Sequence, residues 1–277
     1  MTSDPQTWQV EASAAELYEH YLVRAVTLPW AVDLVDRVGL ARGDQVLDVA
    51  CGTGVVARVA AGRVGDRGRV VGLDLNRGML EVAQAKAGVS DGASIEWVEG
   101  SAAALPFDDA EFGIVLCQLG LQFFEDRLGA LTEMRRVLFE AGRLGLSVFT
   151  SIERNPAAHA LSDALDRHLA EGASLAKRSE HSLPAADELR DVCIAAGFVG
   201  VRIETVGRMV RFPSAEEWVR IQFVATPLRS LLEGREPSDQ QGVVDRVSAD
   251  VRDALAPFGH TDGFAFPQEV HVALAVG

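Results

Sequence analysis

The amino-acid sequence predicts an α/β protein with a mostly parallel β-sheet and helices on both of its faces. The first observation is an alternation of short, β-rich apolar runs with helical stretches from Gln45 onward. Such alternation is typical of parallel sheets that are buried on both sides. The second observation is a glycine turn in VLDVACGTGVVA, Val46 to Ala57, between the first strand and its helix. In such a turn the backbone approaches a ligand closely, and the helix N-terminus offers free N–H groups.

The N-terminal forty residues predict two helices, because their apolar residues recur at helical spacing. These helices lie in AAELYEHYLVRA and LPWAVDLVDRVGL, and Pro29 is expected to start the second. The next five strands are predicted in QVLDVA, RVVGLDL, SIEWVEG, FGIVLCQ and RLGLSVF. Helices are predicted from about Val55, through MLEVAQAKA and through ALTEMRRVL.

After Phe149 the regular alternation is interrupted by inserted helices. The helical stretches are IERNPAAHALSDALDRHLAEGASLAK, AADELRDVCIAAG, SAEEWVRIQFVATPLRSLLEG and DQQGVVDRVSADVRDALAPFG. VGVRIETVGRMVRF and FAFPQEVHVALAV return to strand, which gives seven candidate strands. We expect one domain over 1–277, with N-terminal helices over 1–43, a core of alternating strands and helices over 44–150, and helical insertions with the last two strands over 151–277.

Composition narrows the class of protein. The 277 residues are 48% apolar, which is ample for a packed core. A formal charge of −14 opposes binding to nucleic-acid phosphates. Three widely spaced cysteines, Cys51, Cys117 and Cys193, favour reduced thiols over a disulfide framework. We find neither a signal peptide nor a membrane-spanning window and no metal-ligand spacing, so we expect a cytoplasmic protein with no membrane, nucleic-acid or metal partner.

Gly52, Gly54 and Ala57 fit the pattern G-x-G-x-x-A. Taken alone, the pattern leaves open a dinucleotide site or a tight turn that binds nothing. Two acids accompany it: Asp48 lies near the end of the first strand, where a carboxylate can face an amino group, and Asp74 closes the second. The oxygens of Asp74 can accept both hydroxyl groups of a ribose. These features suit a ligand with a ribose and an ammonium group but no phosphate, such as S-adenosylmethionine.

Four motifs in order resemble the class I S-adenosylmethionine-dependent methyltransferases, specifically the ubiquinone/menaquinone-biosynthesis C-methyltransferases. They are VLDVACGTG, VVGLDLNRGML, EGSAAALPFDDAEF, and CQLGLQFFED followed by EMRRVL, and they span about Gln45 to Phe149. The resemblance implies a Rossmann-like sheet of seven strands in the order 3-2-1-4-5-7-6, with strand 7 antiparallel. It also implies S-adenosylmethionine as cofactor and a helical lid over the substrate pocket. The lid helices would lie in 1–43, the cofactor-binding core in 44–150, and the substrate-side helical insertions with the last two strands in 151–277.

The same resemblance implies the cofactor-binding residues. The glycine turn and the end of the fourth strand would surround the methionine part, the end of the second strand would bind the ribose, and the next two segments would contact the adenine. These residues are Asp48, Ala50, Cys51, Gly52, Thr53, Gly54, Asp74, Leu75, Met79, Gly100, Ser101, Ala102 and Gln118. The chain departs from the family at three places: Ser101 stands where Asp or Asn is usual, Gly113 replaces an Asp, and Glu140 to Arg143 replaces the R-P-G-G turn before the fifth strand.

Methyl transfer mainly requires that a nucleophile be held about 3 Å from the methyl carbon and that water be excluded. His20 and Tyr21 are the leading candidate bases, because N-terminal helices in this fold commonly cover the methyl donor. The competing interpretation is packing, which is the more frequent role of an aromatic residue on an amphipathic helix. Gln122 could orient a substrate oxygen or be a solvated loop residue. His159, His168 and His181 lie in inserted segments that we expect to be solvated, and they receive no role. The apolar positions of the late insertion could line a substrate cavity, pack in the core or form a dimer contact: Trp218, Ile221, Phe223, Leu228 and Leu231.

The predicted function is S-adenosylmethionine-dependent methyl transfer to an oxygen, carbon or nitrogen atom of a small apolar or aromatic metabolite. One alternative keeps the fold and cofactor but uses them for a cyclisation or decarboxylation, because a fold does not fix chemistry. Another is a non-catalytic binding protein. The sequence is also compatible with a homodimer.

Overall fold

Seven strands form one central sheet in the computed structural model, which describes residues 12–87, 92–258 and 263–277. The first eleven residues of the predicted N-terminal lid segment therefore lie outside the described residues. The predicted runs form strands with only small differences at their ends, except at the fifth. The strands are β1 Gln45–Val49, β2 Arg69–Asp74, β3 Ile95–Glu99, β4 Phe112–Gln118, β5 Leu138–Phe149, β6 Val199–Phe212 and β7 Phe264–Val276.

The strand order is β3-β2-β1-β4-β5-β7-β6, as predicted. The five strands from β3 to β5 pair in parallel, whereas β7 is antiparallel to both β5 and β6. Alternate residues of the central strands face opposite sides, so Val46 and Leu47 of β1 belong to two different buried clusters. Both faces of the sheet are covered, which explains why these strands are continuously apolar.

Ten α-helices surround this sheet in the described part of the chain. Those on one face pack against the cluster that contains Val46, and those on the other pack against the cluster that contains Leu47. A third cluster, built from the late helices and the ends of β6 and β7, lies beyond the sheet. The helices are α1 Ala12–Leu17, α2 Leu28–Val38, α3 Val55–Val64, α4 Arg77–Lys86, α5 Arg127–Arg136, α6 Pro156–His168, α7 Leu175–Ser179, α8 Ala186–Ala195, α9 Ala215–Ala225 and α10 Pro237–Ala254.

The two predicted N-terminal helices are one continuous helical segment, so that prediction was wrong. A π-helix, Tyr18–Thr27, joins α1 to α2, and the residues at both junctions keep right-handed helical angles. Pro29 lies in the first turn of α2 without ending the helix. Proline lacks an N–H and its ring crowds the carbonyl four residues earlier, and the wider π-turns before it accommodate that mismatch.

The turn predicted from Glu140 to Arg143 lies inside β5 instead of before it. Phe112 pairs with Leu138, and two residues later Ile114 pairs with Arg143, so β5 bulges out of the ladder. Ala141 takes a left-handed φ of 62° within this bulge. The extra residues are absorbed as an irregularity of the strand, which bends it without ending it.

Two further observations bear on the expected surroundings of the protein. The three cysteines are free and buried. None of the described helices is long and apolar enough to cross a membrane.

Candidate functional site

A cavity of about 620 Å³ lies where the parallel strands end, bounded by the loops that follow β1, β2 and β4. Ala50, Leu75 and Leu119, each one residue past its strand, line it. Ligands of open α/β sheets bind outside the carboxyl ends of the strands, and volumes of about 300–1,000 Å³ are typical of small-molecule sites. The geometry therefore places the candidate site at the predicted glycine turn.

The two glycines of the turn have different tasks. Gly52 has a φ of 55°, lines the cavity, and has no atom within 4 Å of where a Cβ would stand. Gly54 has a φ of 83° but faces the protein, where a Cβ would come within 2.8 Å of Trp97 Cζ3 and closer still to Cη2. Gly52 thus leaves room for a ligand, and Gly54 lets α3 pack on the sheet.

Asp74, the last residue of β2, is hydrogen-bonded to the glycine turn that follows β1. One carboxylate oxygen accepts a hydrogen bond from Gly52 N at 2.7 Å, and the other accepts from Asn76 N at 2.8 Å. Burial raises the pKa of Asp74, and these backbone donors oppose that rise. An ionised carboxylate offers about four lone pairs, so both oxygens keep acceptor capacity toward the cavity.

Asp48 is deeper, with 1% of its surface exposed. Its Oδ2 accepts from Ala57 N at 3.0 Å, in the first turn of α3, whereas Oδ1 is buried with no hydrogen-bond partner among the described residues. Burial raises the pKa of Asp48 to about 8, and the nearby Asp74 carboxylate adds to the rise. A buried acceptor without a donor is costly, so this oxygen suits a ligand that brings an N–H group.

The backbone around the cavity is strained at two non-glycine residues. Ala50 and Leu119, directly after β1 and β4, have φ values of 57° and 52°. Left-handed angles cost a residue with a Cβ roughly 1–2 kcal/mol. Such strain persists where the surroundings hold it, and it clusters at binding sites.

The predicted adenine side is formed by the ends of β2 and β3. Leu75, 56% exposed, and Met79 line the cavity, and Asn76 caps α4 by accepting from Met79 N at 3.1 Å. Ser101 also lines the cavity, and its Oγ accepts from Ala103 N at 3.2 Å. The Ser101 hydroxyl is thus left with its hydrogen to donate, unlike the usual Asp.

Two glutamine side chains border the middle of the cavity. Gln118 Nε2 donates to Thr27 O at 3.1 Å, which ties β4 to the π-helix, while its Oε1 is buried without a partner in the described structure. Gln122 is 3% exposed, and neither its Nε2 nor its Oε1 has a partner among the described residues. It is therefore not a solvated loop residue. Both amides have capacity for a ligand.

The other wall of the cavity is mostly apolar. Of the late-insertion positions, Trp218 lines the cavity, whereas Ile221, Phe223 and Leu228 are buried in the third cluster. Further apolar side chains complete this wall: Leu22, Val26, Phe123, Phe149, Ala157, Pro227 and Phe266.

The structure does not place His20 and Tyr21 among the cavity-lining residues. Their rings contact each other edge to face at 4.5 Å, and Arg220 lies over Tyr21 at 5.8 Å. The π-helix presents a different set to the cavity, namely Tyr18, Leu22 and Val26. His20 and Tyr21 therefore lie outside the wall that a ligand in this cavity would contact.

Several polar residues on the cavity wall were missed by the sequence analysis, and four of them bear on the chemistry. Tyr18 is one, and burial raises its pKa to about 12. The others, Lys177, Glu180 and His181, come from α7 and the turn that follows it. Lys177 Nζ donates to Glu180 Oε1 at 2.7 Å and to Gln222 Oε1 at 3.0 Å. No periodic pattern marks this short segment, so its burial could not be predicted.

All of the predicted cofactor-binding residues except Gly54 line the cavity, and Gln122 lines it too. Among the described residues no cluster of His, Cys, Asp or Glu could hold a metal ion. Burial raises the pKa of the Cys51 thiol well above its usual range, so Cys51 is unsuited to act as a nucleophile.

The fold and the cavity define a Rossmann-like α/β protein whose small-molecule site lies at the carboxyl ends of its strands. The chain belongs to the ubiE/COQ5 methyltransferase family, whose model matches residues 26–210. Membership confirms the predicted family and, at the level of the family, the predicted class of enzyme.

Two relatives show the extent of the similarity. A demethylmenaquinone methyltransferase of Shouchella clausii is 30% identical over 187 residues, which are 64% of this chain and 79% of that protein. A chloroplastic 2-phytyl-1,4-beta-naphthoquinone methyltransferase of Arabidopsis thaliana is 37% identical over 136 residues, 48% of this chain and 49% of that protein. The chain thus spans only about half the length of the Arabidopsis relative.

One solved structure shows the same fold at low sequence identity. Phosphoethanolamine N-methyltransferase 2 of Haemonchus contortus, in complex with S-adenosyl-L-methionine, superimposes with a TM-score of 0.62 at 17% identity. The match covers 97% of this chain and 57% of that chain. The likeness supports the fold and carries no statement about the substrate.

Proposed function

We propose that this protein transfers a methyl group from S-adenosylmethionine to a ring carbon of a small reduced quinone. The observation that carries the proposal is the placement of Asp48 and Asp74 on either side of the open Gly52 turn, in a cavity whose opposite wall is apolar. Family membership supports methyl transfer, and the names of both relatives supply the quinone class.

The residues present fit the cofactor. The unpartnered Oδ1 of Asp48 can accept from the ammonium group, and the Asp74 carboxylate can accept from the ribose hydroxyls. The open space beside Gly52 has room for the part of the cofactor that joins its ammonium group to its ribose. A phosphate at the Gly52 turn would meet the unpartnered Oδ1 of Asp48, which offers it no hydrogen bond when ionised and repels it. This argues against the dinucleotide alternative.

The acceptor must be the reduced form of a quinone. An oxidised quinone ring is electron-poor and cannot attack an electrophile, whereas a hydroquinone has a nucleophilic ring carbon next to each phenolic carbon. When bound, S-adenosylmethionine supplies an electrophilic methyl group on a sulfonium. Gln118 and Gln122 offer amide donors and acceptors for the phenolic oxygens, and Phe149 and Trp218 offer surface for the ring.

The direct test is turnover of methyl-labelled S-adenosylmethionine with 2-alkyl-1,4-dihydroxynaphthalene under anaerobic conditions. We expect labelled methyl on the ring carbon and formation of S-adenosylhomocysteine, together with calorimetric binding of both sulfur ligands and none of NAD. Substrate change without S-adenosylhomocysteine would favour the cyclase or decarboxylase alternative. Tighter binding of NAD than of either sulfur ligand would contradict the proposal.

Binding of the cofactor should release a proton near pH 7. Asp48 has a pKa of about 8 in the ligand-free protein and is mostly protonated there, and a cationic ligand beside it favours the carboxylate. For the same reason the ligand-free protein should lose stability as pH rises from about 4 to about 8, because the folded state binds the proton more tightly than the unfolded one.

Calorimetric titration with S-adenosylmethionine in two buffers of different ionisation enthalpy measures that proton. We expect nearly one proton released per ligand at pH 7, and none in Asp48→Asn. Equal proton release by the wild type and the variant would remove Asp48 from the cofactor site.

We further propose that the helices over the cavity form the predicted lid. The π-helix, α6, α7 and α9 all contribute cavity-lining residues from outside the alternating core, for example Leu22, Ala157 and Trp218. Amide hydrogen exchange in these segments should slow when S-adenosylhomocysteine and 2-alkyl-1,4-dihydroxynaphthalene are added. Helix α8, packed on the sheet away from the cavity, serves as the internal reference. Equal protection with and without ligands would exclude a closing lid.

A single functional domain, a cytoplasmic location and a homodimer stay predictions. Three free thiols are compatible with a reducing compartment.

A further inference from the structure

His181 has a hydrogen-bonding pattern that fixes its tautomer. It lies in the turn after α7, is 7% exposed and lines the cavity. Its Nδ1 is 2.7 Å from the carbonyl oxygen of Thr150, just past the end of β5. A carbonyl can only accept, so Nδ1 carries the hydrogen and Nε2 keeps its lone pair. Within the described structure this Nε2 has no hydrogen-bond partner.

The surroundings favour a neutral imidazole that can take up a proton. Burial lowers the pKa of His181, while the Thr150 carbonyl and the Glu180 and Glu153 carboxylates act in the opposite direction. Lys177 opposes a second positive charge, but its ammonium is paired with Glu180. An imidazolium formed here would therefore have a carbonyl and two carboxylates to stabilise it.

His181 shares the cavity with the strand ends that carry the cofactor residues. Tyr18 lines the same cavity, and the charges of both Glu180 and Asp74 raise the pKa of its phenol. The ring of Phe149 packs 5.2 Å from that of His181 and lines the same wall. An aromatic acceptor placed against Phe149 would therefore lie near the His181 ring.

We propose that His181 is the general base of the reaction, which rests on the proposed function above. Nε2 takes the proton of a phenolic O–H group, and the oxygen electron pair moves into the ring. The ring carbon forms its bond to the methyl group while the carbon–sulfur bond breaks and leaves its pair on sulfur. The imidazolium returns a proton to the oxygen, and the methylated carbon loses its hydrogen to solvent as H⁺. One proton is released overall.

His181 could also have a purely structural role, which is to hold Thr150 in place through its hydrogen bond. The experiment must therefore distinguish this structural role from that of a general base. His181→Asn keeps an N–H group for the Thr150 carbonyl but cannot take a proton. With 2-alkyl-1,4-dihydroxynaphthalene we expect kcat to fall on the order of 10²- to 10⁴-fold, with S-adenosylhomocysteine affinity unchanged. The matched control is His159→Asn, because His159 is exposed on α6 and does not line the cavity. Wild-type kcat in His181→Asn would overturn the proposal.

The pH profile gives a readout that a structural role would not move. In the wild type, kcat/KM should rise with pH as His181 loses its proton, and the midpoint of this rise should lie below the ordinary histidine pKa of 6.5, because burial lowers the pKa of His181. The His181→Asn variant should lack this rise of kcat/KM with pH. An identical rise in the variant would show that another group titrates and would overturn the proposal.

A measurement without turnover separates this proposal from the proposed function. In the complex with S-adenosylhomocysteine, added 1,4-dihydroxynaphthalene should shift the ¹⁵N resonance of His181 Nε2 toward that of a hydrogen-bonded acceptor. If the Nε2 resonance shifts but the turnover assay gives no methylated product, the result contradicts the proposed methyl transfer and supports the contact between His181 and the acceptor. An unshifted Nε2 would overturn the role of His181, whatever the turnover.

Discussion

Asp74→Ala should weaken binding of S-adenosylhomocysteine by roughly tenfold or more. The carboxylate offers charge-assisted hydrogen bonds to a ribose, and such bonds contribute about 1.5–3 kcal/mol. Its removal also leaves Gly52 N and Asn76 N without their acceptor, so the turn loses part of its support. Calorimetric titration of the folded variant measures the effect, and a thermal melt shows how much comes from the fold.

The control for charge is Asp66→Ala, since Asp66 is exposed after α3 and pairs only with the exposed Arg42 at 3.3 Å. We expect unchanged affinity in this control. Asp74→Asn should fall between the wild type and Asp74→Ala, because the amide keeps one acceptor oxygen. Wild-type affinity in a folded Asp74→Ala protein would remove Asp74 from the ribose site.

Gly54→Ala should cost about 2–5 kcal/mol of the free energy of unfolding. The left-handed angle accounts for roughly 1–2 kcal/mol, and overpacking against the Trp97 ring for about 1–3 kcal/mol. The ring is rigid and packs against the buried cluster that contains Val46, so it cannot move aside cheaply. Because Gly54 does not line the cavity, the loss should appear first as lower stability in a denaturant or thermal unfolding experiment.

Gly62→Ala provides the comparison on the same helix. Gly62 is exposed in α3, has no positive φ, and its Cβ would meet nothing within 4 Å. Alanine there should stabilise the protein by about 0.4–1 kcal/mol, because it restricts the unfolded chain and favours the helix. Equal stability of the two variants would show that the turn tolerates a side chain at Gly54.

The sheet was predictable because its signal is local. Phe112–Gln118, Val199–Phe212 and Phe264–Val276 are strands over the runs predicted for them, since polar or turn residues bound each run. The strand order was not derivable from periodicity and came from the family resemblance. At β5 the prediction was too short, because a bulge keeps Glu140 to Arg143 within the strand and no simple pattern marks a bulge.

The site was predictable where function requires particular backbone positions. Asp48, Gly52 and Asp74 line the cavity because the ends of neighbouring parallel strands meet at one edge. The residues that the helices contribute to the site were not predictable in this way. Standard α-helical spacing does not identify a π-helix, so Tyr18 was missed while His20 and Tyr21 were chosen. His181 was missed because its burial depends on contacts between segments distant in sequence, such as that with Thr150.

The place of β7 constrains the order in which the sheet assembles. This strand lies between β5 and β6, both of which precede it in the chain, and it pairs with each of them along most of its length. During synthesis β6 has no neighbour in the sheet until residues 264–276 leave the ribosome. Strand β5 is likewise left with an open hydrogen-bonding edge, a template for unwanted pairing. The nascent chain therefore carries the open edge of β5 while residues 150–276 are synthesised, and an unpaired β6 while residues 213–276 are synthesised, which makes this interval an opportunity for aggregation or chaperone binding.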